Sequence, residues 1–222
     1  MTHHHERDAP GRASHDLPDH LRHRLSRPLP GRHAQLRLAP RPRHWPASDA
    51  VLRPAAALLL LYAHEGEWWL PLTVRVSGLR AHGGQVSLPG GRLDHPDETV
   101  AAAALREAHE EIGVAPAEVD VLGALTPLPI AISGYLLHPV VGAAAQRPAF
   151  VLAPDEVDRV IEVPIARLLQ PDTISWERRA LSGGSKGALD VPYFDIGGAR
   201  VWGATAMVLA EFIAVLEDRT SE

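Results

Sequence analysis

Between Gly90 and Val114 the chain reads GGRLDHPDETVAAAALREAHEEIGV, a glycine pair feeding a helix that crowds its own carboxylates. The spacing predicts a helix over Thr99–Ile112, with Ala101, Leu105, Ala108 and Ile112 as its apolar stripe and Gly113 as its stop. Glu107, Glu110 and Glu111 stand three and four residues apart across this set, so their carboxylates share one side of the helix. Like charges at such spacings destabilise a helix, and their place near its C-terminal end opposes the helix dipole. Divalent cations offset that cost: Mg²⁺ and Mn²⁺ take hard oxygen ligands, commonly carboxylates together with substrate phosphates. A solvated acidic face is the plainer reading of REAHEE alone. The glycine loop shifts the weight, because it follows a strand and lets backbone approach a ligand closely. Glu98, near the start of the helix, sits where a carboxylate is favoured.

The rest of the chain supplies strands. Ala55–Tyr62 reads as a buried strand and Trp68–Arg75 as its hairpin partner across His64-Glu65-Gly66-Glu67. Gln85–Leu88 is a third strand, which Pro89-Gly90-Gly91 breaks to open a loop. Asp120–Leu125, Tyr135–Gly142 and Val157–Val163 are further strands, and Ile165–Leu169 is a short helix. Tyr193–Ile196 and Ala199–Trp202 flank Gly197-Gly198 as a hairpin, and Ala204–Leu216 is a closing helix. Mixed strands with two main helices predict an α/β (α+β) fold.

The first fifty residues differ from the body. They hold nine Arg against five acidic residues, +4 of a formal net charge of −5, which leaves −9 on residues 51–222. We read residues 1–50 as an Arg/Pro-rich arm and 51–222 as the folded domain. Residues 1–15 are expected to be a mobile tail, and Leu17–Ser26 a short helix with Leu17, Leu21 and Leu25 on one face. Residues 31–50 are expected to lie extended on the body, either as a solvated cover or touching phosphates. The absence of cysteine excludes disulfides, thiolate metal sites and a cysteine nucleophile. The acidic balance argues against a nucleic-acid partner. No apolar run approaches a membrane span, and no apolar segment follows His3-His4-His5 as a signal peptide would require, so a cytoplasmic location is expected. Neither Gly83-Gly84, Gly90-Gly91 nor Gly183-Gly184-Ser185-Lys186-Gly187 has the spacing of a P-loop.

The segment from Gly91 to Val114 resembles the Nudix hydrolase box. Glu98 is followed by seven residues, then Arg106-Glu107, Ala108 at the aliphatic position, Glu110-Glu111, Ile112, Gly113 and Val114. One residue is extra between Gly91 and Glu98; counted from the glycine, Asp97 fills the first acidic place, whereas Glu98 keeps the helix register to Arg106 and is taken here. Upstream, Leu72-Thr73-Val74-Arg75, Arg80, Gly84 and Leu88-Pro89-Gly90-Gly91 look like the added motif of the coenzyme A pyrophosphatase branch. Pro71, Val76 and Leu88 depart from it without touching its Arg and Gly positions. Asp155-Glu156-Val157, Val163-Pro164 and Trp202-Gly203-Ala204-Thr205-Ala206 are also similar to that branch.

The resemblance implies an α/β/α sandwich with a mixed sheet, and Mg²⁺- or Mn²⁺-dependent hydrolysis of coenzyme A to 4′-phosphopantetheine and adenosine 3′,5′-bisphosphate. Glu107, Glu110 and Glu111 would hold the metal with the Gly91 carbonyl. Arg106 would orient the acidic groups and Glu98 would pair with it. Arg75, Arg80, Gly84, Gly90 and Gly91 would bind substrate, the arginines as forked donors to phosphate oxygens. The general base is either a box glutamate or a loop carboxylate such as Glu156. His82 could donate to a phosphate or be an idle loop residue, and His109 is expected to face solvent. Two rivals remain: a Nudix pyrophosphatase for ADP-ribose or a dinucleotide, to which Pro129 points, and a non-catalytic module of the same fold.

Overall fold

A computed structural model of the chain describes residues 17–43, 46, 50–77, 84–180 and 187–218. In chain order the elements are α1 (Leu17–Leu25), α2 (Gly31–Gln35), a 3₁₀ turn (Leu36–Leu38), β1 (Arg53–His64), β2 (Glu67–Arg75), β3 (Val86–Ser87), β4 (Gly90–Arg92) and α3 (Val100–Ile112). There follow β5 (Asp120–Ala124), β6 (Leu128–Ile130), β7 (Tyr135–Ala144), β8 (Val157–Pro164), α4 (Ile165–Leu168), β9 (Ile174–Ala180), β10 (Ala188–Ile196), β11 (Ala199–Trp202) and α5 (Gly203–Glu217).

An eight-stranded mixed sheet forms the centre. Its path runs β3-β2-β1-β7-β5, with β4 also on β1, β6 on β7 and β8 on β2. The β1–β7 pair is parallel and the other pairs of this sheet are antiparallel. A separate antiparallel sheet has the order β11-β10-β9.

Strand β1 explains the uninterrupted apolar run of its sequence. Ala56, Leu58, Leu60 and Tyr62 face one core, against Ala103, Ala104, Ala108 and Ile112 of α3. Ala57, Leu59 and Leu61 face the other, with Met207, Leu209, Phe212 and Ile213 of α5. Alternate side chains of a strand point to opposite faces, so a strand covered on both must be apolar throughout. Each fully buried leucine of this run contributes about 1.5–3 kcal/mol. The result is the expected α/β/α sandwich. Helix α5 is buried almost all round, from Thr205 to Leu216, because α1 and α2 cover the side that the sheet leaves.

Several expectations are corrected. Residues 31–38 are helical rather than extended, and Ala34, Leu38 and Ala39 are buried with Leu21 of α1. The Gly90-Gly91 stretch is a strand paired to β1, not a loop. Of the expected stripe of α3, Ala108 and Ile112 are fully buried and Ala101 and Leu105 are half-buried against the same core, but the burial extends further, to Ala103, Ala104 and Glu111. Strands β6 and β9 come in addition to the strands expected from the sequence. The tail over residues 1–15 and the Gly183–Gly187 loop, save Gly187, lie outside the described residues.

Helix α3 is bounded as its residues dictate. Thr99 caps it by accepting from the Ala102 N–H at 3.1 Å. Gly113 ends it at φ +75°, where a Cβ would stand 2.7 Å from that of Val151. The carbonyls of Ile112 and Glu111 are then taken by the N–H groups of Val151 and Ala153, each at 3.0 Å.

Candidate active site

Helix α3 lies over β4 and β1, and its carboxylates are sorted by that contact. Glu111 is 3% exposed, Glu107 is half-buried and Glu110 faces solvent. Gly90 and Gly91 make the approach possible. A Cβ on Gly90 would stand 2.4 Å from the Ala56 carbonyl oxygen, and one on Gly91 would stand 2.4 Å from Glu107 Oε1. Glu107 therefore rests directly on the β4 backbone, at a place only glycine leaves open.

Arg106 organises the outer half of the cluster. Its Nε donates to Glu98 Oε1 at 2.9 Å and its Nη2 to Glu98 Oε2 at 3.4 Å, a two-pronged pairing. Its Nη1 donates to Glu107 Oε1 at 2.9 Å and Glu110 Oε2 at 3.0 Å, and Nη2 also donates to the Arg92 carbonyl at 3.0 Å. Glu98 accepts a further bond from the Asp94 N–H at 2.8 Å. The Arg106 guanidinium and that N–H hold the Glu98 carboxyl below the usual carboxylate range. Sequence reasoning did not single out Asp94 or the Arg92 carbonyl. Both belong to the stretch that contains the extra residue, so the lengthened loop wraps Arg106.

The inner half is different. Burial pushes the Glu111 carboxyl up to about 7; Arg75 opposes the shift, and the charges of Glu107 and Glu156 add to it. Glu111 Oε2 has no hydrogen-bond partner among the described residues. Arg75 Nη1 stands 3.7 Å from Glu111 Oε1. The β2–β8 register shifts between Val74 and Arg75, where Asp158 of β8 is the extra residue. Burial also raises the Glu107 carboxyl, against the pull of Arg106.

These oxygens suit a hard divalent ion. An orphaned, desolvated carboxylate oxygen on Glu111 and a second desolvated carboxylate on Glu107, resting on the Gly91 backbone, are of the donor type that Mg²⁺ and Mn²⁺ take. Among the described residues no three His, Asp or Glu converge as a finished metal cage, and Arg106 Nη1 draws Glu107 and Glu110 onto itself.

Of the other anticipated residues, Gly84 closes the turn after β2, its N–H donating to the Arg75 carbonyl at 2.9 Å. Glu156 accepts from the Val76 N–H through its backbone carbonyl at 3.0 Å, and His109 is exposed. Arg80 and His82 lie outside the described residues.

The Gly91 contact yields a test. Because the atom a new Cβ would meet is the end of a flexible side chain, Gly91→Ala is expected to displace Glu107 and spare the fold. Turnover should fall about tenfold or more, as misplacing a catalytic group does, with an unchanged circular dichroism spectrum. Full activity would mean that the Glu107 position is immaterial.

A family model described as "NUDIX domain" matches residues 51–182. The uncharacterized Nudix hydrolase NudL of Klebsiella pneumoniae is 37% identical over 156 residues, which is 70% of this chain and 72% of that one. NudL of Escherichia coli is 42% identical over 51% of this chain and 59% of its own length. Among solved structures, the Nudix hydrolase RenU of M. smegmatis is similar over 50% of this chain and 70% of its own, at 27% identity and a TM-score of 0.41.

Proposed function

The chain belongs to the Nudix hydrolase family, and from that premise we propose that it hydrolyses the diphosphate of coenzyme A to 4′-phosphopantetheine and adenosine 3′,5′-bisphosphate. The observation that carries the reading is the 3.7 Å approach of Arg75 to Glu111. It brings the upstream arginine motif and the glutamate box to one place, so a forked phosphate donor adjoins the metal-type carboxylates.

In this reading Glu107, Glu110 and Glu111 would hold Mg²⁺ or Mn²⁺. A bound ion of this kind supplies charge neutralisation on the diphosphate and a more acidic water. Arg106 positions Glu107 and Glu110, and Glu98 fixes Arg106. Arg75, held beside Glu111, binds a non-bridging phosphate oxygen. Water adds to one phosphorus, the bridging P–O bond breaks, and one phosphate stays with each product.

A panel of coenzyme A, ADP-ribose, NADH and nucleoside triphosphates, read by chromatography with Mg²⁺ or Mn²⁺ present, tests the assignment. Coenzyme A is expected to turn over fastest. Faster cleavage of ADP-ribose would overturn the substrate assignment and favour the rival suggested by Pro129. That residue lies on β6 with its carbonyl bonded to Arg43 at 3.0 Å. No cleavage of any member would favour a binding module.

A further inference from the structure

A cleft of about 450 Å³ opens where the edge of the main sheet meets the three-stranded sheet. Gly84, Val86, Arg159, Arg179, Arg200 and Trp202 line it. The cleft is separate from the carboxylate cluster. Val74, which also lines it, packs in the core under α5, whereas the next residue, Arg75, reaches Glu111 of α3. The cleft and the cluster therefore flank the same strand, β2, at neighbouring residues.

The cleft is rich in guanidinium donors. Its three guanidiniums share two carboxylates: Arg159 pairs with Asp158 at 3.0 Å, and Arg179 and Arg200 both pair with Glu177. Asp195, the cross-strand neighbour of Arg200, is a third carboxylate at the cleft and accepts from the Gly198 N–H at 2.9 Å, so the guanidinium and carboxylate charges balance. The Arg179 guanidinium lies 4.1 Å above the centre of the Trp202 ring, and that of Arg200 lies 5.4 Å from the Tyr193 ring. Stacking fixes the plane of a guanidinium and leaves its in-plane N–H donors to bond, the arrangement that suits a phosphate oxygen fork. The Arg159 and Arg200 side chains are 60% and 55% exposed, so an incoming ligand can reach them.

We propose that this cleft is a subsite for a phosphomonoester group, gripped by Arg159, Arg179 and Arg200. A phosphomonoester carries close to two negative charges near neutrality and three acceptor oxygens, able to take over donors that Asp158 and Glu177 now share. Two sources share that chemistry. One is a peripheral phosphate of the substrate, the 3′-phosphate in coenzyme A, and this part rests on the coenzyme A reading. The other is free phosphate acting on the enzyme from outside the reaction.

The test has two arms. In the first, inorganic phosphate is titrated into the full chain in EDTA, which removes binding through cations, and the indole N–H resonance of Trp202 is followed by NMR. A saturable shift is expected, with affinity about tenfold weaker in Arg159→Ala and in Arg200→Ala, the loss of one charge-assisted contact. Both side chains are largely exposed, so both variants are expected to fold, and their unfolding midpoints verify this. No saturable shift, or the same affinity in both variants, overturns the subsite. In the second arm, KM for coenzyme A is compared with KM for its 3′-dephospho form. A wild-type preference for coenzyme A that shrinks about tenfold in Arg200→Ala assigns the substrate's own phosphate. Equal KM values with phosphate binding retained assign the subsite to free phosphate. If the chain cleaves neither compound, the coenzyme A reading fails while the first arm still decides the subsite.

Discussion

Glu111→Gln is expected to lower turnover at least about 100-fold, the scale seen when a charge that stabilises a transition state is disturbed. The same substitution is expected to leave the metal-free chain as stable as before, or more so, above neutral pH. Both effects have one origin. Glu111 is buried, its carboxyl is raised to about 7, and its Oε2 makes no hydrogen bond among the described residues. Since its folded pKa lies above its unfolded one, Glu111 contributes stability that is fully present below the unfolded pKa, near 4.5. That stability is lost as pH rises to about 7. The loss is of order 3 kcal/mol, at about 1.4 kcal/mol for each pH unit between the two values. A glutamine has no charge to desolvate, so the share of the pH slope that Glu111 supplies should vanish in the variant. Thermal unfolding in EDTA across pH 5–8, run beside kinetics in saturating Mg²⁺, reads both effects. Added Mg²⁺ should raise the melting temperature of the parent chain and not of the variant, since ligands stabilise the state that binds them. Near-normal turnover in Glu111→Gln would remove this residue from the metal site.

Much of this site could be read from the sequence, because the helix that carries it is strongly patterned. The seven-residue interval from Glu98 to Arg106 is what brings a loop carboxylate onto Arg106 Nε, and the Glu107–Glu111 spacing puts both groups over β4. What the pattern could not supply was rotation. The stripe read through Ala101, Leu105, Ala108 and Ile112 holds at Ala108 and Ile112, but the buried face turns further, toward Ala104, and takes Glu111 into the interior. Alanine is small enough to sit on either side of a helix, so an Ala-rich run fixes the axis but not the buried face. The glycine pair misled for a similar reason. Glycine marks loops, but here its missing side chain admits a neighbouring carboxylate to a regular strand. Residues 31–38 were hidden by their arginines and flanking prolines, since their burial depends on a polar partner far along the chain.

That partner is Glu211, and removing it is expected to cost the fold about 3–5 kcal/mol. Glu211 is fully buried on α5. Its Oε1 accepts from the backbone N–H groups of Gly31 and Thr126, each at 3.2 Å, and its Oε2 accepts from Gln35 Nε2 at 2.8 Å. Gln35 Nε2 donates as well to the Thr126 carbonyl at 2.9 Å. Glu211→Ala leaves the Gly31 and Thr126 N–H groups without this acceptor, deprives Gln35 of one, and opens a cavity in the interior. Each orphaned donor costs roughly 1–3 kcal/mol, so the melting temperature should drop by about 10 °C. Glu211→Gln separates the charge from the hydrogen bonds. Its amide can still accept from one side but sets NH₂ against Gln35, and turning Gln35 over would break its bond to Thr126. An intermediate loss of about 1 kcal/mol is therefore expected. The two variants also differ locally. If Glu211 is what fastens α2 to the body, the alanine variant should become open to trypsin at Arg22, Arg24 and Arg27 before the rest of the chain is cut, because a segment released from the core unfolds first. Resistance equal to that of the parent chain, or an alanine variant less than about 1 kcal/mol weaker in urea, would show that apolar contacts alone hold residues 17–39 in place.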